Sequence, residues 1–294
     1  MPVATALSLR PLRPTFAAEV DGLDLSVPLS SSTIAELVAA IDRFAVLVFS
    51  KQHLTDEAHI AFSRQFGELQ HSPNYFQKDG SSSRPRMAYP ELFDASNLDA
   101  SGKVLDVNDD RRQFRLGNEL WHSDSSFLKV SAKYSLLNAH VVPPDSADTQ
   151  FADTRAAYDA LSGAEQAKID SLVAEHSVFH SRGSIGLTNF TEADRKARPP
   201  AHHPVARLHP GSKRKALFVG SHASHIVGRP IAEGRVLLHH LVEAAGQPQF
   251  VYSHHWEAGD LVMWDNRSTL HRVLPFDDLV HVRDLRRTTV QGDA

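Results

Sequence analysis

In the stretch WHSDSSF, residues 121–127, a histidine and an aspartate stand two positions apart where the sequence becomes β-like. Residues two apart on a strand point to the same face of a sheet. His122 and Asp124 can therefore bind one metal ion from one strand edge. His271, which follows Asp124 by 147 positions, is the candidate third ligand. Two imidazoles and one carboxylate on one face of an ion leave other positions open, as in the facial triad of non-haem Fe(II) oxygenases.

A His-x-Asp triplet is weak evidence by itself, because the chain contains 18 histidines and such triplets arise by chance. The alternative is a surface histidine beside a solvated acid. The flanking residues favour the metal site, since Trp121 and Phe127 put the motif at a strand-to-loop edge. His271 likewise follows a strand-like segment, residues 261–264, and a polar turn.

Four other groups of histidines offer rival ligands. None has a carboxylate at strand spacing, so we expect most of them at surface or packing positions. His222 and His225 could contact the metal ligands without binding the metal. The four groups are His202 with His203, His222 with His225, His239 with His240, and His254 with His255.

Two arginines near the end of the chain could hold anions around such a metal. Arg283 and Arg287 share one face of a predicted strand, with Cα atoms roughly 13 Å apart at about 3.4 Å per residue. Two guanidinium groups at that separation can hold two carboxylates with a metal between them, because the planar fork binds a carboxylate bidentately. The alternative is a solvated basic strand of Arg283, Arg286 and Arg287 paired with Asp284.

The composition sets broad limits on the function. The 294 residues are 41% hydrophobic and 22% charged, which is typical of a soluble globular protein. A net charge of -4 gives no reason to expect nucleic acid or an anionic membrane as partner. The absence of cysteine excludes disulfides, thiolate zinc sites, iron–sulfur clusters and cysteine nucleophiles. We see no signal peptide and no apolar run of about 20 residues, so a cytoplasmic protein is expected.

Periodicity predicts helices first and then many short strands. Thr33 and Glu36 predict a capping box at the start of an amphipathic helix, and FAVLVF at 44–49 predicts a strand buried on both faces. Together the elements predict a β-barrel or sandwich decorated by helices. Further helices are predicted from Thr55 to Gly67, from Ser162 to Ala174 and from Pro230 to Ala245, and further strands at 134–142, 216–219, 250–252, 261–264 and 285–290.

Residues 70–118 differ from the rest of the sequence. They contain polar, Gly- and Ser-rich runs with few apolar pairs. We interpret this region as long loops with one strand near residues 87–89. Long loops in a compact domain are often lids over functional sites.

Five segments carry a family resemblance: WHSDSSF (121–127), DTQFADTRAAYDAL (148–161), GSHASHIVG (220–228), GDLVMWDNRSTLHR (259–272) and LRRTT (285–289). Together they resemble the TauD/TfdA family of Fe(II)- and 2-oxoglutarate-dependent dioxygenases. Within the family, the sequence most resembles the 2,4-dichlorophenoxyacetate (TfdA-type) dioxygenases. The resemblance extends from about residue 9 to residue 289.

The resemblance implies a mainly β fold with flanking helices and a double-stranded β-helix (jelly-roll, cupin-like) core. It implies a single 2-oxoglutarate dioxygenase domain over residues 1–294. Within that domain, an active-site lid is expected at about 70–118 and a helical insertion at about 154–245.

The resemblance also implies a site. Its cofactors would be Fe(II), the cosubstrate 2-oxoglutarate, and O2. His122, Asp124 and His271 would be the catalytic metal ligands. Thr149 and Arg283 would bind the distal carboxylate of 2-oxoglutarate. Substrate-binding positions would be Arg287, for the substrate carboxylate, with Asn118 and Tyr75 nearby.

The function that the resemblance implies is hydroxylation of the carbon next to the carboxylate of an aryloxyacetate. The products would be a phenol and glyoxylate, with succinate and CO2 from 2-oxoglutarate, and relatives suggest a homo-oligomer. One alternative is a taurine, alkyl-sulfonate or alkyl-sulfate dioxygenase of the same family. A zinc-dependent hydrolase using the same pocket, and a binding module without chemistry, also stay open because a fold does not fix a function.

Overall fold

The chain folds into mixed β-sheets with helices packed around them. A computed structural model describes residues 7–72, 86–144 and 147–293. The strands are β1 (Ser8–Pro11), β2 (Ala18–Asp21), β3 (Val46–Phe49), β4 (Phe93–Asp94), β5 (Ala132–Val141), β6 (Thr149–Asp153), β7 (Val173–His176), β8 (Ala201–Pro204), β9 (Ala206–Leu208), β10 (Lys215–Leu217), β11 (Ala223–Ile226), β12 (Val251–His254), β13 (Leu261–Asp265), β14 (Thr269–Val273) and β15 (Asp284–Gln291). The helices are α1 (Ser31–Phe44), α2 (Asp56–Arg64), α3 (Asp110–Leu116), α4 (Thr154–Asp159), α5 (Gly163–Ile169), α6 (Val178–Gly183), α7 (Glu192–Ala197) and α8 (Ile231–Ala245), with short 3₁₀ turns η1 (Gly117–Glu119) and η2 (Pro248–Phe250).

The largest sheet has seven strands in the order β1-β2-β3-β13-β5-β15-β4. All four residues of β3 are buried, which confirms the strand predicted within residues 44–49. Alternate side chains explain the unbroken apolar run. Leu47 and Phe49 join a core that includes α1, whereas Val46 and Val48 join a core on the other face. A strand covered on both faces has no solvated side that would favour polar residues.

A second layer covers the other face of this sheet. It is the three-stranded antiparallel sheet β12-β6-β14. Phe151 on β6 packs against Trp264 on β13, with ring centroids 5.4 Å apart. His271 on β14 pairs across the ladder with Phe151, so the second layer carries one of the predicted metal ligands.

The predicted insertion at 154–245 contains strands as well as helices. Helices α4 to α8 lie there, together with strands β7 to β11. A capping box formed by Ser162 and Glu165 opens the helix predicted from Ser162, but this helix ends at Ile169 and not at Ala174. Ala174 lies in β7 because that strand bonds to both β8 and β11. No described helix has the length and apolar composition that crossing a bilayer requires.

Two local predictions near the N-terminal half are wrong. The cap of α1 is Ser30, whose Oγ accepts from the Thr33 backbone N–H at 3.1 Å. Glu36 instead accepts from the backbone N–H of Leu7 at 3.3 Å, so there is no capping box at 33–36. The strand predicted near 87–89 is also absent, because the sheet-forming residues of this region are those of β4, which pair with β15.

Candidate active site

The structure brings His122, Asp124 and His271 together. The backbones of the two histidines form a reciprocal pair, with N···O distances of 3.0 and 2.8 Å. Asp124 Oδ2 lies 3.6 Å from His271 Nε2, and Asp124 Oδ1 lies 4.0 Å from His122 Nε2. All three potential ligand atoms lie within 4.8 Å of one another, and all three residues are buried. This spacing suits a single ion with two imidazoles and one carboxylate on one side.

The predicted placement of His122 and Asp124 on one strand is wrong, although the two residues do converge with His271. His122 takes part in an isolated bridge with His271 and not in a strand. Asp124 begins a turn in which Ser125 has a φ of 52°. The Asp124 backbone N–H donates to the side-chain oxygen of Asn266 at 3.1 Å instead of a neighbouring strand. The carboxylate therefore reaches the site from a turn.

A buried polar network holds the Asp124 carboxylate. Ser135 Oγ on β5 donates to Asp124 Oδ2 at 2.7 Å, and Asn266 Nδ2 donates to Ser135 Oγ at 2.9 Å. The same Asn266 accepts from the Asp124 backbone and from the indole N–H of Trp264 at 3.0 Å. Ser135 was not among the predicted site residues, and Asn266 was predicted only as part of a polar turn.

The protonation states suit metal binding. Burial lowers the pKa of His122 to about 4 and takes the pKa of His271 well below its usual value. Burial alone would raise the pKa of Asp124, but nearby Arg287 and the two histidines outweigh it and lower that pKa to about 2. His122 Nδ1 lies 2.8 Å from the carbonyl oxygen of Leu120 and donates to it. The Nε2 nitrogen, which faces Asp124, is then unprotonated and has a lone pair for a metal. At neutral pH the site thus offers two neutral imidazoles and one carboxylate.

Two cavities meet at these residues. The first, here called the Arg283 cavity, is lined by Arg283, Thr149, Leu137, Trp264, His122 and His271. The second, here called the Arg182 cavity, is lined by Arg182, Phe114, Phe127, Val178, His122 and Asp124. Phe93, Asn118 and Arg287 line both. A metal at the three ligands would therefore face both cavities.

Arg283 is a buried cation with no counterion among the described residues. Its side chain contacts no carboxylate among the described residues, and only 7% of the residue is exposed. Its guanidinium makes long contacts to Thr149 Oγ1 at 3.5 Å and to the Ala95 carbonyl at 3.3 Å, and its Nε has no partner in the described chain. Burial lowers its pKa to about 10. Such a group is costly unless an anion joins it.

Arg287 has a different environment from Arg283. Its Nη1 donates to Asp124 Oδ1 at 2.5 Å, and its guanidinium lies 4.6 Å from the centre of the Phe93 ring. Arg286 instead donates to Asp56 at 2.7 Å and pairs with Asp284 at 3.3 Å. The ion-pair alternative therefore describes Arg286, while Arg283 and Arg287 line the cavities.

The remaining predicted residues are distributed as follows. Thr149 begins β6, and its Oγ1 accepts from the Trp256 indole N–H at 3.0 Å. Asn118 lies in η1 and accepts from Arg182 at 3.0 Å, a partner that sequence analysis missed. Tyr75 lies outside the described residues. His222 is buried in the wall of the Arg182 cavity, with its ring centroid 6.0 Å from that of His122.

Several of the rival histidines lie beside carboxylates. His225 lies 3.7 Å from Glu175, and His254 lies 3.2 Å from Asp260. A second group that could hold a metal combines Asp42, His209 and Asp265. Arg267 already donates to both oxygens of Asp265, so this second group is an ion-pair network with its own cation.

Comparisons with known proteins identify the family of the chain. A family model described as taurine catabolism dioxygenase TauD, TfdA family, matches residues 8–289. The chain is 47% identical over 285 residues to the α-ketoglutarate-dependent 2,4-dichlorophenoxyacetate dioxygenase of Cupriavidus pinatubonensis, with 97% of each protein covered. It is 36% identical over 299 residues to the (S)-phenoxypropionate/α-ketoglutarate-dioxygenase of Sphingobium herbicidovorans, covering 99% of this chain and 97% of that protein. The crystal structure of AAD-2 in complex with Mn(II) and N-oxalylglycine matches with a TM-score of 0.89 at 44% identity, covering 99% of this chain and 98% of that one. The chain therefore belongs to the TauD/TfdA family of dioxygenases.

Proposed function

We propose that this protein is an Fe(II)- and 2-oxoglutarate-dependent dioxygenase that oxidises aryloxyacetates of the 2,4-dichlorophenoxyacetate kind. The observation that carries the proposal is the buried cluster of His122, Asp124 and His271 where two cavities meet. One of these cavities is lined by Arg283, a cation with no counterion among the described residues. The 47% identical relative acts on 2,4-dichlorophenoxyacetate, and its match covers nearly all of both chains.

The donor set fits Fe(II). Imidazole nitrogen and carboxylate oxygen are ligands that this ion accepts, and three ligands on one side leave positions for other groups. Bound Fe(II) would supply the reaction with O2, in which 2-oxoglutarate is oxidised to succinate and CO2. The protein's part is to keep the imidazoles neutral, to hold Asp124 through Ser135 and Asn266, and to shield the site.

Arg283 and Thr149 would bind the distal carboxylate of 2-oxoglutarate. Their side chains approach each other to 3.5 Å in the Arg283 cavity. The cation lacks an anion and its Nε lacks an acceptor in the described chain. A carboxylate would satisfy both with bidentate, charge-assisted hydrogen bonds. The AAD-2 neighbour contains N-oxalylglycine, which is likewise a dicarboxylate.

The Arg182 cavity would hold the substrate. Phe114, Phe127 and Val178 supply apolar surface for an aromatic ring, and Phe93 adds to it where the cavities join. Arg287 would bind the substrate carboxylate while keeping one bond to Asp124, because a guanidinium has five donors and its Nε has no described partner. Holding the carboxylate decides which C–H bond faces the metal.

The products follow from the position of the new hydroxyl group. Hydroxylation of the carbon next to the carboxylate of an aryloxyacetate gives a hemiacetal. Cleavage of its bond to the aryl oxygen moves the hydroxyl proton to that oxygen. The fragments are a phenol and glyoxylate.

The finer architecture is part of the same proposal. The packing of β6 against β13 supports a double-stranded β-helix core made of the seven-stranded sheet and the β12-β6-β14 sheet. The family match over residues 8–289 supports a single domain over 1–294, with a helical insertion at about 154–245 that also carries strands. The predicted lid at about 70–118 is supported by Phe93, Asn97 and Leu105, which line the Arg283 cavity. A homo-oligomer and a cytoplasmic location stay predictions from the sequence.

A product assay tests the proposed function. The protein would be incubated with Fe(II), 2-oxoglutarate and O2 and with 2,4-dichlorophenoxyacetate, taurine or an alkyl sulfate in turn. We expect equal amounts of succinate, phenol and glyoxylate with the aryloxyacetate. Faster succinate formation with taurine or the alkyl sulfate would favour the other branch of the family. Activity with Zn(II) and no use of 2-oxoglutarate would indicate a hydrolase, and tight binding without turnover would indicate a binding module.

Arg287→Gln should raise the KM for the aryloxyacetate by at least about tenfold. A hydrogen bond between charged groups contributes about 1.5–3 kcal/mol, and each 1.4 kcal/mol is a factor of ten. The KM for 2-oxoglutarate should change little, because Arg283 and Thr149 remain. Steady-state kinetics with each substrate varied in turn measure both values. An unchanged KM for the aryloxyacetate would remove Arg287 from this role, and Arg286→Gln is the neighbouring control.

Ser135→Ala should weaken metal binding by about ten- to a hundredfold, because groups that orient a ligand carboxylate typically have effects of that size. Its hydroxyl donates to Asp124 Oδ2 and accepts from Asn266. Titration of the metal-free protein with Co(II) or anaerobic Fe(II) measures the change. Ser224→Ala is the control, since this buried serine bonds to Glu175 on β7. Equal metal affinity in the two variants would contradict the prediction.

A further inference from the structure

Arg182 fixes the orientation of the Asn118 side chain. The two ends of an amide look alike, so their assignment depends on the hydrogen-bond partners. Arg182 Nη2 lies 3.0 Å from Asn118 Oδ1. A guanidinium can only donate, so the atom that it contacts must be the amide oxygen. The Asn118 Nδ2 group is left over, and it has no hydrogen-bond partner among the described residues.

The position of Arg182 is itself restricted. The residue is 5% exposed, and its guanidinium lies 4.2 Å from the centre of the Phe114 ring. It also lies against the backbone at Gly117, where an added Cβ would be 2.2 Å from Arg182 Nη1. Only glycine at 117 leaves room for this arrangement. Gly117 therefore leaves space for the Arg182 guanidinium, and the next residue, Asn118, carries the amide that this guanidinium orients.

The Asn118 side chain lies where the two cavities meet, beside the candidate metal ligand His122. Asn118 lines both the Arg182 cavity and the Arg283 cavity, and His122 lines both as well. Arg182 is near enough to His122 and His222 for its charge to lower the pKa of each, after the larger effect of burial. The described walls of the substrate cavity thus include an amide whose acceptor is used and whose two N–H groups are free.

We propose that Arg182 is a positioning residue that makes Asn118 a hydrogen-bond donor to the substrate. This proposal rests on the proposed function and names its specificity. In an aryloxyacetate the reacting carbon has two polar neighbours, the carboxylate and the ether oxygen. With Arg287 on the carboxylate, Asn118 donates to the ether oxygen. The cavity then favours substrates with an acceptor at that position over those with a methylene or an N–H group.

Three isosteric substrates test this specificity. They are a phenoxyacetate, the 3-phenylpropionate with the same ring substituents, and the matching N-phenylglycine. These place an ether oxygen, a methylene and an N–H group at the same position. For each, kcat/KM would be measured, together with its dissociation constant on the enzyme loaded with Fe(II) and 2-oxoglutarate without O2. We expect the wild-type protein to prefer the ether over the methylene compound by about tenfold, the size of one net hydrogen bond.

Matched variants separate the donor role from general packing. Gly117→Ala keeps both side chains but displaces the guanidinium, and Arg182→Met keeps the bulk and removes the donors. Both should bring the ether-to-methylene ratio close to one. Gly183→Ala is the control, because an added Cβ there meets no atom within 4 Å although it is adjacent to Arg182. Its ratio should equal that of the wild type. Asn118→Asp, which presents only acceptors, should shift the preference towards the N-phenylglycine.

The outcomes are distinguishable. Loss of the ether preference in Gly117→Ala and Arg182→Met, with its retention in Gly183→Ala, supports the proposal. An unchanged ratio in both variants, or an equal loss for all three substrates, overturns it. Should the two variants at 117 and 182 fail to fold, the preference of Asn118→Asp decides, and an unaltered preference there overturns the proposal. Absence of any aryloxyacetate turnover by the wild-type protein would instead refute the proposed function.

Discussion

Asp124→Asn should abolish 2-oxoglutarate-dependent activity and weaken Fe(II) binding by more than about a hundredfold. Changing a group that merely orients a ligand costs ten- to a hundredfold in affinity, so changing the ligand itself should cost more. The amide has nearly the same shape as the carboxylate and can still accept from Ser135. It lacks the negative charge that attracts the cation, and one of its two ends would be a donor facing Arg287.

The expected result separates metal binding from folding. Metal titration, succinate release and thermal unfolding would be measured on the same preparation. Asp260→Asn is the matched control, because Asp260 is also buried and accepts from His254 at 3.2 Å. That variant should lose stability and keep its metal affinity. Near-normal Fe(II) affinity in Asp124→Asn would mean that Asp124 is not a ligand, and the proposed function would lose its main support.

The residues of the candidate metal site could be predicted from the sequence, whereas their geometry could not. His122 and Asp124 were paired on the assumption of a strand, but a turn places the carboxylate. The turn depends on Asn266, which is 142 positions away along the chain. No local pattern reports a contact at that separation. The strand that carries His271 was also missed, because the apolar residues of β14 are interrupted by a histidine and an arginine.

The environments of the arginines could not be predicted from the sequence either. Arg283, Arg286 and Arg287 are close in sequence, and periodicity alone could not decide which of them are solvated. Arg286 pairs with Asp56 on α2, and Arg287 pairs with Asp124 in its turn. Arg283 contacts no carboxylate among the described residues. Arg182 was not selected at all, because its importance depends on a contact with Asn118 across 64 positions. Strand β3 was predictable because every one of its residues is apolar and buried.

Arg283→Met should have opposite effects on stability and on cosubstrate binding. Without 2-oxoglutarate, the buried guanidinium has no counterion among the described residues, and replacing it with an apolar side chain of similar length removes the cost of burying that charge. Replacement of buried charges by packed apolar residues often stabilises proteins by about 1–4 kcal/mol. We therefore expect the variant to unfold a few degrees higher than the wild type in the absence of 2-oxoglutarate. The KM for 2-oxoglutarate should rise by at least about tenfold, through loss of a charge-assisted hydrogen bond.

Thermal unfolding with and without 2-oxoglutarate, in the presence of a metal such as Mn(II), measures both effects in one experiment. Added cosubstrate stabilises a protein that binds it in the folded state only, so the wild type should gain in melting temperature and the variant should gain little. Arg286→Met is the control, for which we expect the opposite change in melting temperature. Arg286 pairs with Asp56 and Asp284. Its removal takes this cation from the buried side of both carboxylates, although Asp284 keeps Arg86, and should destabilise the fold. Destabilisation by Arg283→Met in the absence of 2-oxoglutarate would show that the guanidinium contributes to folding through its contacts to Thr149 and Ala95. The burial of Arg283 would then no longer be evidence for an anion-binding site.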